Sequence, residues 1–221
     1  LSDDFSGMLK LIILPLVIVF IGCAFFYVLI EQSIMSWLPT FNKDVIKLNT
    51  SLSIQMASIM SASIALGRFL AGMLLRKIEW IYVLSGCLLA AAGLVLITVP
   101  LTGSISGQTI SHLRDVPMVA YAFPLIGLFL APVYPAINSV ILSNLPAHKH
   151  ASMSGLIVVF SALGGTTGSI ITGHIFEAWG GQTAFYFSLG PICLLMVLLY
   201  IFKKVQPPTV AVTISGNGVS H

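Results

Sequence analysis

Residues 11–30 form a run of twenty without a charged side chain. At about 1.5 Å per residue, such a run crosses the hydrocarbon core of a bilayer as a helix. Similar stretches recur along the chain, and together they predict six spans, at about 11–38, 48–75, 80–100, 117–145, 151–176 and 179–202. Each is too long for the strands of an outer-membrane barrel, which alternate over roughly ten residues. Composition agrees: 57% of residues are hydrophobic and only 8% charged, where a soluble domain carries about 25% charged residues. The fold class expected is an all-α membrane protein, with residues 1–204 as one six-helix bundle and 205–221 as a flexible cytoplasmic tail. The fourth span holds Pro117, Pro124, Pro132 and Pro135. A bend is expected near Pro132–Pro135, because proline removes a backbone donor and clashes with the preceding turn.

The chain begins at Leu1, with no basic segment and no small-residue cleavage site before the first apolar run. Residues 11–30 are therefore read as a span and not a signal peptide, and the chain as part of a longer protein. With the N-terminus cytoplasmic, the inside segments hold Lys10, Arg76, Lys77, Lys149, Lys203 and Lys204, and the outside ones Lys43, Lys47 and Arg114. Basic residues favour the inner side, so both ends of the segment are placed in the cytoplasm, in a plasma or bacterial inner membrane. Trp37, Trp80 and Trp179 fall near the expected span ends, as interfacial aromatics do. The net charge of +3 says little about nucleic acid, but no basic patch interleaved with aromatics appears, and no nucleic-acid partner is expected. Cys23, Cys87 and Cys193 lie in apolar runs and read as small core residues. His112, His148 and His150 lie in loops without ligand spacing, and His174 reads as a satisfied or interfacial histidine. No metal site and no cofactor is expected.

Glu31 stands out against this background. A carboxylate within a spanning helix costs roughly 2.5–3.5 kcal/mol at the centre on insertion scales. It is kept where it faces a bundle interior or a watery cavity; the alternative is that it caps the span at the outer interface. The end of the second span carries Gly67, Arg68, Gly72 and Arg76. Its glycines let a neighbouring helix approach, and its basic residues face the cytoplasm and can pair with acids or helix C-terminal carbonyls. The fifth span carries Gly164, Gly165, Gly168 and Gly173; small residues every fourth position form a stripe for close helix packing.

These stretches carry a family resemblance. Gly67, Arg68, Gly72 and Arg76 resemble the second-half copy of the cytoplasmic loop motif of the major facilitator superfamily, although Leu75 stands where many members carry Asp. The stretches 131–138, 164–173 and 27–37 are similar to the tenth, eleventh and seventh helices of that family's fucose-permease-like branch of sugar:proton symporters. The resemblance implies a C-terminal six-helix half of a twelve-helix bundle, with the N-terminal half of the same protein as its partner. It also implies inverted three-helix repeats and a substrate site between the halves. The first, second, fourth and fifth spans then line the cavity.

Helical spacing selects the faces that would look into it. Tyr27, Glu31 and Gln32 lie on the first span, Gln55 on the second beside Ser58, Tyr134 and Asn138 on the fourth, and Phe160 on the fifth. Carboxylate, amides and rings together suit a hydroxyl-rich solute. Each has a plainer reading: Gln55 as an interhelical hydrogen bond, Tyr134 as core, Asn138 as either. The expected function is secondary active transport of a small polar solute of the sugar kind, by alternating access and coupled to protons through Glu31. The alternatives are a major facilitator for drug or organic-acid efflux, and a membrane-embedded enzyme. The enzyme is disfavoured because only Glu31, Arg68 and His174 could supply its chemistry. Anions are disfavoured because Arg68 is read toward the cytoplasmic end.

Overall fold

The computed structural model describes residues 14–103, 105 and 110–206. The expected start at residue 11 and nearly all of the tail lie outside them. The helices are α1 (Pro15–Asp44), α2 (Thr50–Leu74), α3 (Trp80–Thr102), α4 (Met118–Leu130), α5 (Val133–Ser143), α6 (His150–Trp179), α7 (Gly181–Phe187) and α8 (Leu189–Val205). They make six spans long and apolar enough to cross a membrane, α4–α5 and α7–α8 counting as one each. Among the described residues the only β pairing is an isolated bridge between Leu48 and Ile110.

Several boundaries depart from expectation for local reasons. Pro39 does not end the first span; α1 continues to Asp44 with Pro39 inside it. Trp37 is therefore not an interfacial anchor. Its indole N–H donates to the Ser169 carbonyl at 2.9 Å, and its ring stacks on Phe176 at 5.4 Å. The fifth span runs on to Trp179 and ends at Gly180, whose φ of 86° is a conformation that glycine adopts without strain. The second span starts where the Asn49 side chain caps the Leu52 amide at 2.8 Å. Cys193 lies on an exposed face of α8 and not in the core.

The fourth span breaks at Ala131–Pro132. Both residues keep right-handed helical angles there, φ −51° and ψ −36° for Ala131 and φ −67° and ψ −27° for Pro132. The interruption is thus one of hydrogen bonding: Pro132 lacks the amide that would bond the Leu128 carbonyl, and Pro135 the one that would bond that of Ala131. A Cβ added to Gly67 of α2 would collide with the Leu128 carbonyl oxygen, so only glycine lets α2 lie against this stretch.

α1 is the centre of the bundle, packing most extensively on α6 and then on α8, α2 and α5. The second great pairing is α2 on α4. Exchange the first span with the fourth, the second with the fifth and the third with the sixth. The pairing of first with fifth then becomes that of fourth with second, and first with sixth becomes fourth with third; all four are extensive contacts here. This is the contact pattern that inverted three-helix repeats require. At the end of the bundle where α2 and α8 finish, Lys203 bridges to Glu79 at 2.8 Å with both side chains well exposed, a contact of small energetic weight.

Candidate functional site

Glu31, at the middle of α1, meets Arg68, six residues before the end of α2. Glu31 is thirteen residues before the end of α1 and Arg68 eighteen after the start of α2, so at 1.5 Å per residue their depths differ by about 7 Å. An arginine side chain covers that difference. The Arg68 guanidinium lies 3.7 Å from Glu31 Oε1, with side-chain exposures of 49% and 13%. The same oxygen accepts a hydrogen bond from the Tyr27 hydroxyl at 3.0 Å. Arg68 lies toward the end of its span, and its charge stands beside Glu31.

Tyr27 is fully buried. It fixes Glu31 from one helical turn away instead of lining a cavity. Its ring stacks on Tyr134 of α5, two residues beyond the Pro132 break, with centroids 5.5 Å apart and planes inclined by 21°. The Tyr134 hydroxyl in turn hydrogen-bonds Ser161 of α6 at 3.1 Å. One line of contacts thus runs from Arg68 on α2 through Glu31 and Tyr27 on α1 and Tyr134 on α5 to Ser161 on α6. Replacing Tyr134 with Phe keeps the stack and removes the hydroxyl. Interhelical hydrogen bonds in bilayers average about 0.6 kcal/mol, so Tyr134→Phe is expected to lower stability by about that amount. Tyr134→Ala, which also loses the stack, should cost more by at least about 0.5–1.5 kcal/mol. Unfolding of the purified protein in mixed micelles by a denaturing detergent measures both.

Gln32 lies on the other flank of α1. With Val28, Ser161, Ala162, Gly165 and Thr166 it lines an open cavity of about 440 Å³ between α1 and α6. Ser161 and Thr166 were not singled out from the sequence. The signal was spacing from the glycines: Gly165 lies directly against Gln32 and Val28, so its neighbours on α6 share their cavity. Ser58 lines a smaller cavity of about 190 Å³ with Met35 and Ser61. Gln55 is exposed nearby on α2 and is not among that cavity's walls. Asn138 has a buried side-chain oxygen without a hydrogen-bond partner. Phe160 packs at the edge of the core.

The glycines divide by what they touch. A Cβ on Gly164 would meet the Phe25 carbonyl, one on Gly168 the Leu29 carbonyl and the Ser33 hydroxyl, and one on Gly173 the Trp37 ring. Gly72, in contrast, is exposed and would meet nothing within 4 Å. Together with Arg76 in the turn beyond α2, it belongs to a surface and not to a packing contact in the described chain.

A helical bundle of six membrane-spanning segments, with repeat-related pairings and a charged pair within the spans, defines an integral membrane protein of the carrier type of architecture. The chain belongs to the Major Facilitator Superfamily, whose sequence model matches residues 4–165 and 101–218. It is similar in structure to the transporter FucP of that superfamily, solved in the outward conformation, with a TM-score of 0.68 and 20% sequence identity over 95% of this chain. That likeness is one of fold. The match covers 46% of the FucP chain, so the present chain spans about half the length of that transporter. No curated protein sequence matches it.

Proposed function

We propose that this chain is the C-terminal six-helix half of a secondary active transporter, and that it moves a small hydroxyl-rich solute by alternating access, coupled to protons at Glu31. The observation that carries the reading is the Glu31–Arg68 pair. Two opposite charges are kept within spanning helices, the acid 13% exposed and the base half exposed. Charges there are costly unless they line a watery path. Next to Glu31 in sequence, Gln32 looks into a cavity that also offers the Ser161 and Thr166 hydroxyls. Such groups hydrogen-bond a polyol from several sides.

The exposed faces support a second half. α2 presents Gln55, Ser58, Ser61 and Arg68 outward, and α6 presents Thr166 and His174. The Ser58 and Ser61 hydroxyls bond carbonyls of their own helix, but lipid would not satisfy the Gln55 amide, the His174 ring or the open side of Arg68, whereas a partner half across a central cavity would. The excess of basic residues in the segments read as inner supports a cytoplasmic position for both ends. The resemblance of residues 27–37, 131–138 and 164–173 to the fucose-permease-like branch supports sugar-like solutes as the first class to try.

The test is uptake by the protein with its N-terminal half, reconstituted in liposomes. Labelled aldoses are expected to accumulate above their external concentration when an inward proton gradient is imposed, and a protonophore is expected to collapse the accumulation. Solute that only equilibrates, at a rate indifferent to the gradient, would remove proton coupling. An absence of saturable flux for every solute tried would remove transport.

A further inference from the structure

Arg68 is under-used by the partners it has. A guanidinium carries five N–H donors in a fixed fork, and charge-assisted hydrogen bonds run about 2.7–2.9 Å. Glu31 stands off at 3.7 Å and shares the contacting oxygen with the Tyr27 hydroxyl. Among the described residues, Glu31 is the acid paired with Arg68, and half of the Arg68 side chain is open. No other described lysine or arginine lies so far from a span end. A cation inside a span, half open and with donors to spare beyond its contact with Glu31, is built to receive a second anionic group.

From this geometry we infer that the solute is a small polyhydroxy acid, whose carboxylate binds Arg68 and whose hydroxyls bind Gln32, Ser161 and Thr166. The inference rests on the transport reading above and narrows its substrate class. α1 joins the two subsites: Glu31 and Gln32 are consecutive, their Cα atoms about 3.8 Å apart, one facing α2 and the other α6. A carboxylate takes an arginine fork through two parallel N–H···O bonds, a better fit than the single long contact that Glu31 makes.

The exchange also accounts for the proton. In the empty site the charges of Arg68 and Glu31 cancel. When the solute carboxylate takes the guanidinium, Glu31 loses its counter-charge and takes up one proton from the water that brought the solute. The site is neutral before and after. Among the described residues, the partners of Glu31 offer no other proton acceptor: Tyr27 on its own helix and Arg68 on α2, with Tyr134 of α5 stacked behind Tyr27. The titratable residues of α6, namely His150, His174 and Glu177, lie toward its ends. One proton therefore travels with each carboxylate, and the cycle carries no net charge. A neutral sugar with a proton would carry one.

The experiment uses the protein with its N-terminal half in proteoliposomes, a trapped pH dye, and two pairs of labelled probes: D-gluconate with D-glucose, and L-fuconate with L-fucose. The expected result is aldonate accumulation with one proton per solute, at a rate unchanged when valinomycin and potassium set the membrane potential to different values. Arg68→Gln should raise the KM for the aldonates about ten- to a hundredfold, the range for a lost hydrogen bond to a charged group. Glu31→Gln, which leaves Arg68 free, should bind aldonates at least as tightly as the parent and lose the pH dependence of that binding; this holds the inference open to test if the Arg68 variant does not fold. Uptake of an aldose with exclusion of its aldonate would overturn the inference and leave the transport reading standing. So would an equal fall for aldoses and aldonates in Arg68→Gln, which would make an acid of the N-terminal half the second partner of Arg68. No saturable flux of any probe would overturn the transport reading itself.

Discussion

Glu31→Gln is expected to abolish gradient-driven accumulation while leaving exchange of solute across the membrane largely intact. Glutamine keeps the shape of the side chain, and its amide oxygen can still accept the Tyr27 hydroxyl, so the 3.0 Å contact and the Tyr27–Tyr134 stack survive. What it cannot do is gain or lose a proton. A carrier that must take up a proton with its solute at this residue then equilibrates solute and no more. Each unit of pH gradient is worth about 1.4 kcal/mol, or about tenfold accumulation for one coupled proton. The variant should show an accumulation ratio near one whatever gradient is imposed. Counterflow, measured as labelled solute entering vesicles preloaded with unlabelled solute, separates the two roles. If Glu31 only binds hydroxyls, counterflow and net uptake fall together. If both are unchanged, Glu31 serves to hold Arg68 and the coupling proton binds elsewhere.

The long-range features of this molecule were open to reading from the sequence, and the pairwise ones were not. The six spans follow from charge-free length alone, because a bilayer offers no other partner for the backbone. The break in the fourth span follows from Pro132, whose missing amide acts whatever surrounds it. Glu31 stands out because a mid-span carboxylate is costly anywhere in the bilayer. The partner of Arg68 was hidden for a corresponding reason. Counted from the loop motif it belongs to the end of its span, but a long flexible side chain carries its charge about one helical turn toward Glu31, and only the register of α1 against α2 reveals that. Tyr27 was legible as a partner of Glu31 at i, i+4, whereas its complete burial depends on α5 stacking across it. Ser161 and Thr166 stayed hidden because serine and threonine are ordinary in membrane helices; their cavity exists only once Gly165 has brought α6 against Gln32. The same holds for Trp37, where a position near an expected span end stood in for a partner that the fold supplies.

Gly168→Ala and Gly164→Ala are expected to be the most destabilising small changes in the bundle. Helices in a bilayer gain little from burying apolar surface against each other, so close packing of backbones carries the association. At both positions the added methyl would run into main chain, the Leu29 carbonyl for Gly168 and the Phe25 carbonyl for Gly164, and for Gly168 also the Ser33 hydroxyl 2.8 Å away. A side chain can rotate away, but a helix backbone cannot, so α6 and α1 must separate along the most extensive contact of the fold. Overpacking of this kind costs about 1–3 kcal/mol per site. The two sites share one response, since separation at either relieves the other, so the double variant should cost less than the sum of the singles. Gly72→Ala provides the contrast: nothing lies within 4 Å of the new methyl, and alanine in a helix is favoured over glycine by about 0.8–1 kcal/mol. Unfolding curves in mixed micelles should therefore move in opposite directions for Gly72→Ala and for the two stripe variants. Separation would also draw Gln32 away from Thr166, because Gly165 lies between the two packing glycines. Folded Gly168→Ala protein is accordingly expected to bind solute more weakly as well as to unfold earlier. Unfolding midpoints equal to the parent's at both stripe positions would show that α1 and α6 do not depend on this contact.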